Sequence, residues 1–172
     1  MRTRLRSGIL FGLLFGAAPA WSQESDPITL LVSVSERELS VRRGEEVLHR
    51  FPVGVGTGER LSRAEGDGWN FSTPTGVFEI GRMKKDPVWY APDWYYVERG
   101  LPVPPAYSDE RYRRGILGDY ALYLSDEIAI HGTRDESSVG RASSHGCLRM
   151  RNADIAIVFP LVQVGTRVDI VP

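Results

Sequence analysis

Seven short runs of β-branched, aromatic and other apolar residues constrain this chain more than any other feature of its sequence. "ITLLVSV" (Ile28 to Val34), "ELSVR" (Glu38 to Arg42), "VLHRFPVGVG" (Val47 to Gly56) and "GVFEIGR" (Gly76 to Arg82) are separated by polar or glycine-containing turns such as "RRGEE", the mark of successive strands. The spacing predicts that these four form an antiparallel meander. "YALYL" (Tyr120 to Leu124) and "IAIHG" (Ile128 to Gly132) predict a further hairpin, and "GTRVDIV" (Gly165 to Val171) alternates strictly. One short helix is expected from Asn152 as N-cap to about Pro160, because Ile155, Val158, Phe159 and Val162 fall at i, i+3, i+4 and i+7. The expected fold is mainly β, a sandwich with one short helix near its end.

Two regions break the pattern. "TGERLSRAEGDGWNFSTPTG" is polar and glycine-rich, ends in the turn Thr73-Pro74-Thr75-Gly76, and reads as a surface loop. Between Asp86 and Tyr120 lie five prolines, Trp89, Trp94 and six of the seven tyrosines, with no sustained period. So long a stretch without regular structure in a compact domain reads as a lid or binding loop, or as an aromatic cap on one end of the sandwich.

The N-terminus sets the compartment. Arg2, Arg4 and Arg6 precede an apolar run from Gly8 to Ala17, and small residues follow at Ala18 and Ala20. This order reads as a secretory signal over residues 1–22, leaving residues 23–172 as one exported domain in the periplasm or cell-wall space. No later stretch is apolar enough to span a bilayer, so no stable membrane insertion is expected after cleavage. A chain of this length buries a core without disulfides or metals. Loss of three arginines with the signal moves the formal charge from −1 to −4. An acidic domain with no basic tract is a poor partner for nucleic acid or anionic lipid.

Cys147 is the only cysteine and lies within "SSHGCLRM". In an exported chain an unpaired cysteine implies an intermolecular disulfide, an inert buried side chain or a reactive nucleophile. If the segment is extended, His145, Cys147 and Arg149 share one face, and Ser144, Gly146, Leu148 and Met150 take the other. A nucleophilic thiol needs a base or a nearby positive charge, and His145, Arg149 and His131 are the candidates. A turn at Gly146 would present the amides of Gly146 and Cys147 to an oxyanion. His49, among Val47, Leu48 and Phe51, reads as structural.

These residues coincide with a family. "IHGTRDESSVGRASSHGCLRMRNADIAIVFPLVQVGTRVDIV", with "FPVGVG" and "TPTGVFEI" upstream, closely resembles the L,D-transpeptidase catalytic domain (YkuD-type, ErfK/YbiS-like). The resemblance implies a cysteine enzyme without cofactor. Its substrate is the peptidoglycan stem peptide, cut after the third residue, usually a diamino acid. By position, Cys147 would be the nucleophile and His131 the general base. The Gly132 carbonyl would orient His131, and the Gly146 and Cys147 amides would line the oxyanion hole. The resemblance also implies acylation by carbapenems and a part in cell-wall organisation and cell shape.

For His145 three roles stay open: tuning the thiol, holding substrate, or stabilising the loop. Arg149 is expected to grip a substrate carboxylate, or else to pair with Asp154 or another local acid. Ser144, Trp89 and Trp94 are further candidate substrate contacts, the two tryptophans on the acceptor side. The acceptor could be a second stem, a wall-attached protein, a free D-amino acid or, in an L,D-carboxypeptidase, water. Two readings of another class are a zinc site built from His131, His145 and Cys147, and a non-catalytic wall-binding module.

Overall fold

The computed structural model describes residues 26–63 and 66–172; the signal segment expected at residues 1–22 lies outside them. Strands β1 (Ile28–Ser33), β2 (Glu38–Arg43) and β3 (Glu46–Pro52) form an antiparallel meander. The run expected to continue to Gly56 breaks at Pro52, and β4 (Val55–Gly56) leaves to pair in parallel with β13 (Ala142–Ser144). Short strands β5 (Arg60–Leu61) and β6 (Trp69–Asn70) pair within the polar loop.

The fourth strand departs from the expected meander. β7 (Gly76–Glu79) does not add to β3. It pairs with the last strand, β15 (Arg167–Val171), which lies parallel to β1, giving the order β3-β2-β1-β15-β7. The C-terminal strand thus fills an interior position. Its neighbours offer two unfilled edges, and Val168 and Ile170 point to the same side as Leu30 and Val32.

The second sheet contains β8 (Arg82–Lys85), β11 (Tyr120–Tyr123), β12 (Ala129–Thr133) and β14 (Leu148–Arg151), in the order β14-β12-β11-β8. β11 and β12 form the expected hairpin, and β14 lies parallel to β12. Leu122, Ile130, Leu148 and Met150 are fully buried and join the core with Leu30, Val32, Val41 and Ile170 of the first sheet. Burial of each such side chain contributes about 1.5–3 kcal/mol. A one-residue slip would turn the whole set outward, so register is fixed.

Helix α2 (Asn152–Val158) covers one end of the core with Ile155 and Val158. Its cap is Arg151 rather than Asn152, and no side chain caps the helix. Asn152 Oδ1 instead accepts from the Asp119 amide at 3.1 Å.

Residues 86–119 are ordered rather than structureless. β9 (Val88–Tyr90) pairs with β10 (Tyr112–Arg114), and helix α1 (Asp93–Val97) lies between them in sequence. Their centre is Arg111, only 3% exposed. Its guanidinium donates to the carbonyls of Ala91, Pro104 and Pro105, pairs with Asp93 at 2.8 Å, and faces the rings of Tyr90 and Tyr96. A buried charge is tolerated only with such complete partnering.

Candidate active site

The parallel pairing of β12 and β14 assembles the site. Its register sets Ile130 beside Leu148 and His131 beside Arg149. Because strand side chains alternate, Ile130, Leu148 and Met150 enter the core while His131 and Arg149 face the other way. Cys147, just ahead of β14, belongs to the His131 side. The grouping of Cys147 with Arg149, opposite Leu148 and Met150, is therefore present. His145 parts from it, because Gly146 turns the chain with φ +123°, a region that L side chains avoid.

His131 is buried, and its Nδ1–H donates to the Gly132 carbonyl at 2.6 Å. That bond leaves Nε2 as the unprotonated nitrogen. Burial, aided by the Arg149 charge, lowers the imidazole pKa to about 4 even though the Gly132 bond acts the other way. His131 is thus neutral at pH 7. Gly132 has a second duty. A Cβ there would stand 2.1 Å from Asn152 Oδ1, so only glycine lets the Asn152 amide brace the strand against Asp119.

The Cys147 sulfur is half-buried by exposure yet densely walled by protein, and its S–H donates to the Glu127 carbonyl at 3.4 Å. Burial raises the thiol pKa; the Ala129 amide and the Arg149 charge oppose this without overcoming it. A thiol acidified by its neighbours, the simplest expectation from "SHGCLR", is not what the site holds. The resting pair is neutral thiol and neutral imidazole.

Arg149 is held through its backbone, which exchanges two hydrogen bonds with Gly54 at 2.8 and 2.9 Å. Asp154 lies near Arg151, at 3.9 Å, and not Arg149. Arg149 enters no ion pair among the described residues, although the Asp135 charge acts on it, and its guanidinium lies on the thiol's side of the sheet.

The turn itself is stapled from within. Ser144 is buried; its hydroxyl donates to the Cys147 carbonyl at 2.5 Å and accepts from the Gly146 amide at 3.1 Å. Both observations depart from expectation. Ser144 has no free hydroxyl for substrate, and the Gly146 amide is engaged, whereas the Cys147 amide has no acceptor among the described residues. Thr73, passed over in the sequence as part of a turn, is buried and links two elements: it accepts from the Gly56 amide at 2.8 Å and donates to the Gly146 carbonyl at 2.9 Å.

His145 faces the aromatic segment. Its Nε2 meets Glu98 at 2.8 Å, its ring stacks on Trp94 with centroids 4.0 Å apart, and Phe71 abuts it edge-on. Trp89 stands behind Trp94 at 5.9 Å. Of the three roles open for His145, the geometry favours holding the loop. It also removes the basis of the zinc reading: His131 and His145 have separate partners, and no group of three His, Cys, Asp or Glu among the described residues could hold a metal.

Residues 27–170 match the family model described as the L,D-transpeptidase catalytic domain. The chain belongs to this family. Among relatives of this L,D-transpeptidase family member, "Probable L,D-transpeptidase ErfK/SrfK" of Salmonella typhimurium is 33% identical over 152 residues, covering 84% of this chain and 48% of its own. The chain thus spans about half the length of that relative. Among solved structures, an L,D-transpeptidase from Mycobacterium smegmatis superposes with TM-score 0.61 at 18% identity, over 86% of this chain and 59% of that one. L,D-transpeptidase 3 from Mycobacterium tuberculosis, in complex with a faropenem-derived adduct, gives 0.58 at 18%, over 84% and 60%. These likenesses show the fold. Among the described residues, no helix of this family member is long and apolar enough to cross a membrane.

Proposed function

We propose that this chain is an exported L,D-transpeptidase acting on peptidoglycan stem peptides, with Cys147 as nucleophile and His131 as general base. The reading is supported above all by one observation: the only thiol and a buried, neutral imidazole of fixed tautomer share one face of two adjacent parallel strands.

His131 Nε2 takes the thiol proton as sulfur attacks the carbonyl carbon of the third stem residue, so an imidazole of pKa about 4 and a raised thiol exchange a proton only as the bond forms. The tetrahedral oxyanion accepts from the Cys147 amide, and Arg149 adds positive charge nearby. Collapse breaks the C–N bond; the departing amine takes the proton from His131 and leaves as a D-amino acid. An acceptor amine then attacks the thioester, gives a proton to His131, and the thiolate leaves and recovers it. The packing of Trp94 and Glu98 on His145 favours an enclosed acceptor side and hence amine over water. Second stems, wall proteins and free D-amino acids are the acceptors considered, with wall organisation and cell shape as the outcome.

The test is incubation of residues 23–172 with defined tetrapeptide muropeptides, with and without amine acceptor, and product masses. Cross-linked or D-amino-acid-exchanged stems are expected. Tripeptide alone, with abundant acceptor, would make the enzyme an L,D-carboxypeptidase. A carbapenem should add one inhibitor mass to the protein, lost in Cys147→Ala.

A further inference from the structure

The aromatic wall of the site ends in a cation that the fold leaves unpaired. On the β9–β10 ribbon Arg113 lies directly across from Trp89, so both side chains leave the same face of that ribbon. Trp89 meets Trp94 at 5.9 Å and Tyr95 edge-on at 5.3 Å, and Trp94 is the ring stacked on His145. That face is therefore the one turned toward the site. The Arg113 guanidinium stands over the Tyr95 ring, 4.7 Å from its centroid. Its Nε is buried without an acceptor, and the side chain enters no ion pair among the described residues.

A second cation crowds it. Arg99 stands over the same ring at 4.0 Å, and its carboxylate partner, Glu98, is shared with His145. Two guanidiniums gathered on one ring repel each other, and Glu98 answers for only one of them. Arg111 shows the contrast: its charge is met by Asp93 and by three carbonyls. A buried donor left open costs about 1–3 kcal/mol, so an incoming anion completes the arrangement around Arg113. The planar fork of a guanidinium suits a carboxylate, a group that stem peptides carry.

Distance decides which molecule brings that carboxylate. Three steps of 4.0, 6.4 and 4.7 Å lead from His145 through Trp94 and Tyr95 to the Arg113 guanidinium. At about 3.4 Å per extended residue, the row is as long as a short peptide. In a free amino acid the carboxylate sits on the amine's own carbon and cannot reach. We infer that Arg113 anchors the acceptor: it takes a carboxylate of a second stem peptide, remote from the amine that attacks the thioester, and so selects a stem over a free D-amino acid. The inference rests on the transpeptidase reading and deepens it. Arg113 is a specificity residue, since it touches the acceptor far from the bond being formed.

The experiment preforms the Cys147 thioester from a tetrapeptide and follows its resolution by product mass. Three amines are compared: a tripeptide stem with free carboxylates, the same stem with those groups as carboxamides, and a free D-amino acid. The acidic stem should react about 10-fold faster than its amidated form, the scale of one charge-assisted hydrogen bond. Arg113→Ala should bring that ratio to within about 2-fold, and Arg113→Lys should keep part of it. Arg113→Met, which leaves a straight chain against Tyr95 without the charge, should match Arg113→Ala. Thioester formation and transfer to the D-amino acid should stay within about 2-fold of the parent in all three variants. A ratio near one in the parent, or a high ratio that survives loss of the charge, overturns the anchor and leaves the transpeptidase reading standing. Equal slowing of the stem and the D-amino acid also overturns it, by marking Arg113 as a support of the loop. Slowing confined to thioester formation would put the carboxylate on the donor and overturn the acceptor assignment. Failure of the tetrapeptide to acylate Cys147, or a thioester that water alone resolves, overturns the transpeptidase reading and the anchor with it.

Discussion

The two halves of this site are held by different kinds of interaction. Cys147, His131 and Arg149 ride on neighbouring strands, positioned by a backbone ladder and by a core that fixes its register. The aromatic half, residues 86–119, meets the same site through side chains: Arg111 gathers its backbone, and Glu98 and Trp94 grip His145. Backbone pairing survives most substitutions, because every residue but proline can make it. A side-chain clasp depends on its few members. The strand-borne half should therefore lose chemistry without losing structure, and the aromatic half should lose order first and chemistry second.

The largest effect separates these outcomes most cleanly. His131→Ala should lower turnover by about 10²- to 10⁴-fold, the usual cost of a lost general base, while far-UV circular dichroism stays that of the parent. Collapse of the spectrum would mean that the buried ring carries structure rather than chemistry. Next comes Arg111→Ala. It strands the buried Ala91 carbonyl and the part-buried carbonyls of Pro104 and Pro105 and returns the 42%-exposed Asp93 carboxylate to water, a buried unpaired group costing about 1–3 kcal/mol. The midpoint should fall by roughly 5–15 °C, with amide exchange accelerated over residues 86–119 and not over β12 and β14. Uniform acceleration would show that the two halves are one cooperative unit.

The strands were legible in the sequence because alternation is a local property: the seven runs each contain observed strand residues, and the faces of Leu148 and Met150 against Arg149 follow from it. What alternation cannot carry is partnership. The place of β15 between β1 and β7, the Ser144 hydroxyl closing on Gly146, and the bracing of Gly132 by Asn152 all join residues distant in sequence or turned by a glycine. Arg111 lay hidden for a related reason. An arginine reads as a surface residue, and only the carbonyls freed by Pro104 and Pro105 bending the chain make a buried cation tenable. The raised thiol follows from packing density, which no motif states.

Smaller effects sharpen the comparison further. The acid limb of kcat/KM should lie near pH 4, since His131 is the neutral base above its folded pKa and is lost as protons bind below it. A limb near 6.5 would mean that the ring is hydrated in solution. Smallest is the clasp itself. Burial tends to raise the Glu98 pKa, but His145 and Arg99 outweigh it and hold the carboxyl below its ordinary value, so the carboxylate persists to low pH. Glu98→Gln should reduce amine transfer relative to hydrolysis by about 2- to 5-fold, a pair with one-quarter to one-third exposed partners being worth about 1 kcal/mol or less. An unchanged product ratio would separate the clasp from acceptor choice.

The interior position of β15 governs when this molecule can come into being. β1 emerges among the first described residues and β15 among the last, yet each completes the other's pairing, and β7 waits on β15 as well. Contacts spanning nearly the whole domain are slow to form, so until Val171 is available the chain carries two open strand edges and a core that lacks Val168 and Ile170, an aggregation-prone intermediate. A chain pulled through a pore from its N-terminus would stay unfolded by topology alone until the crossing was finished.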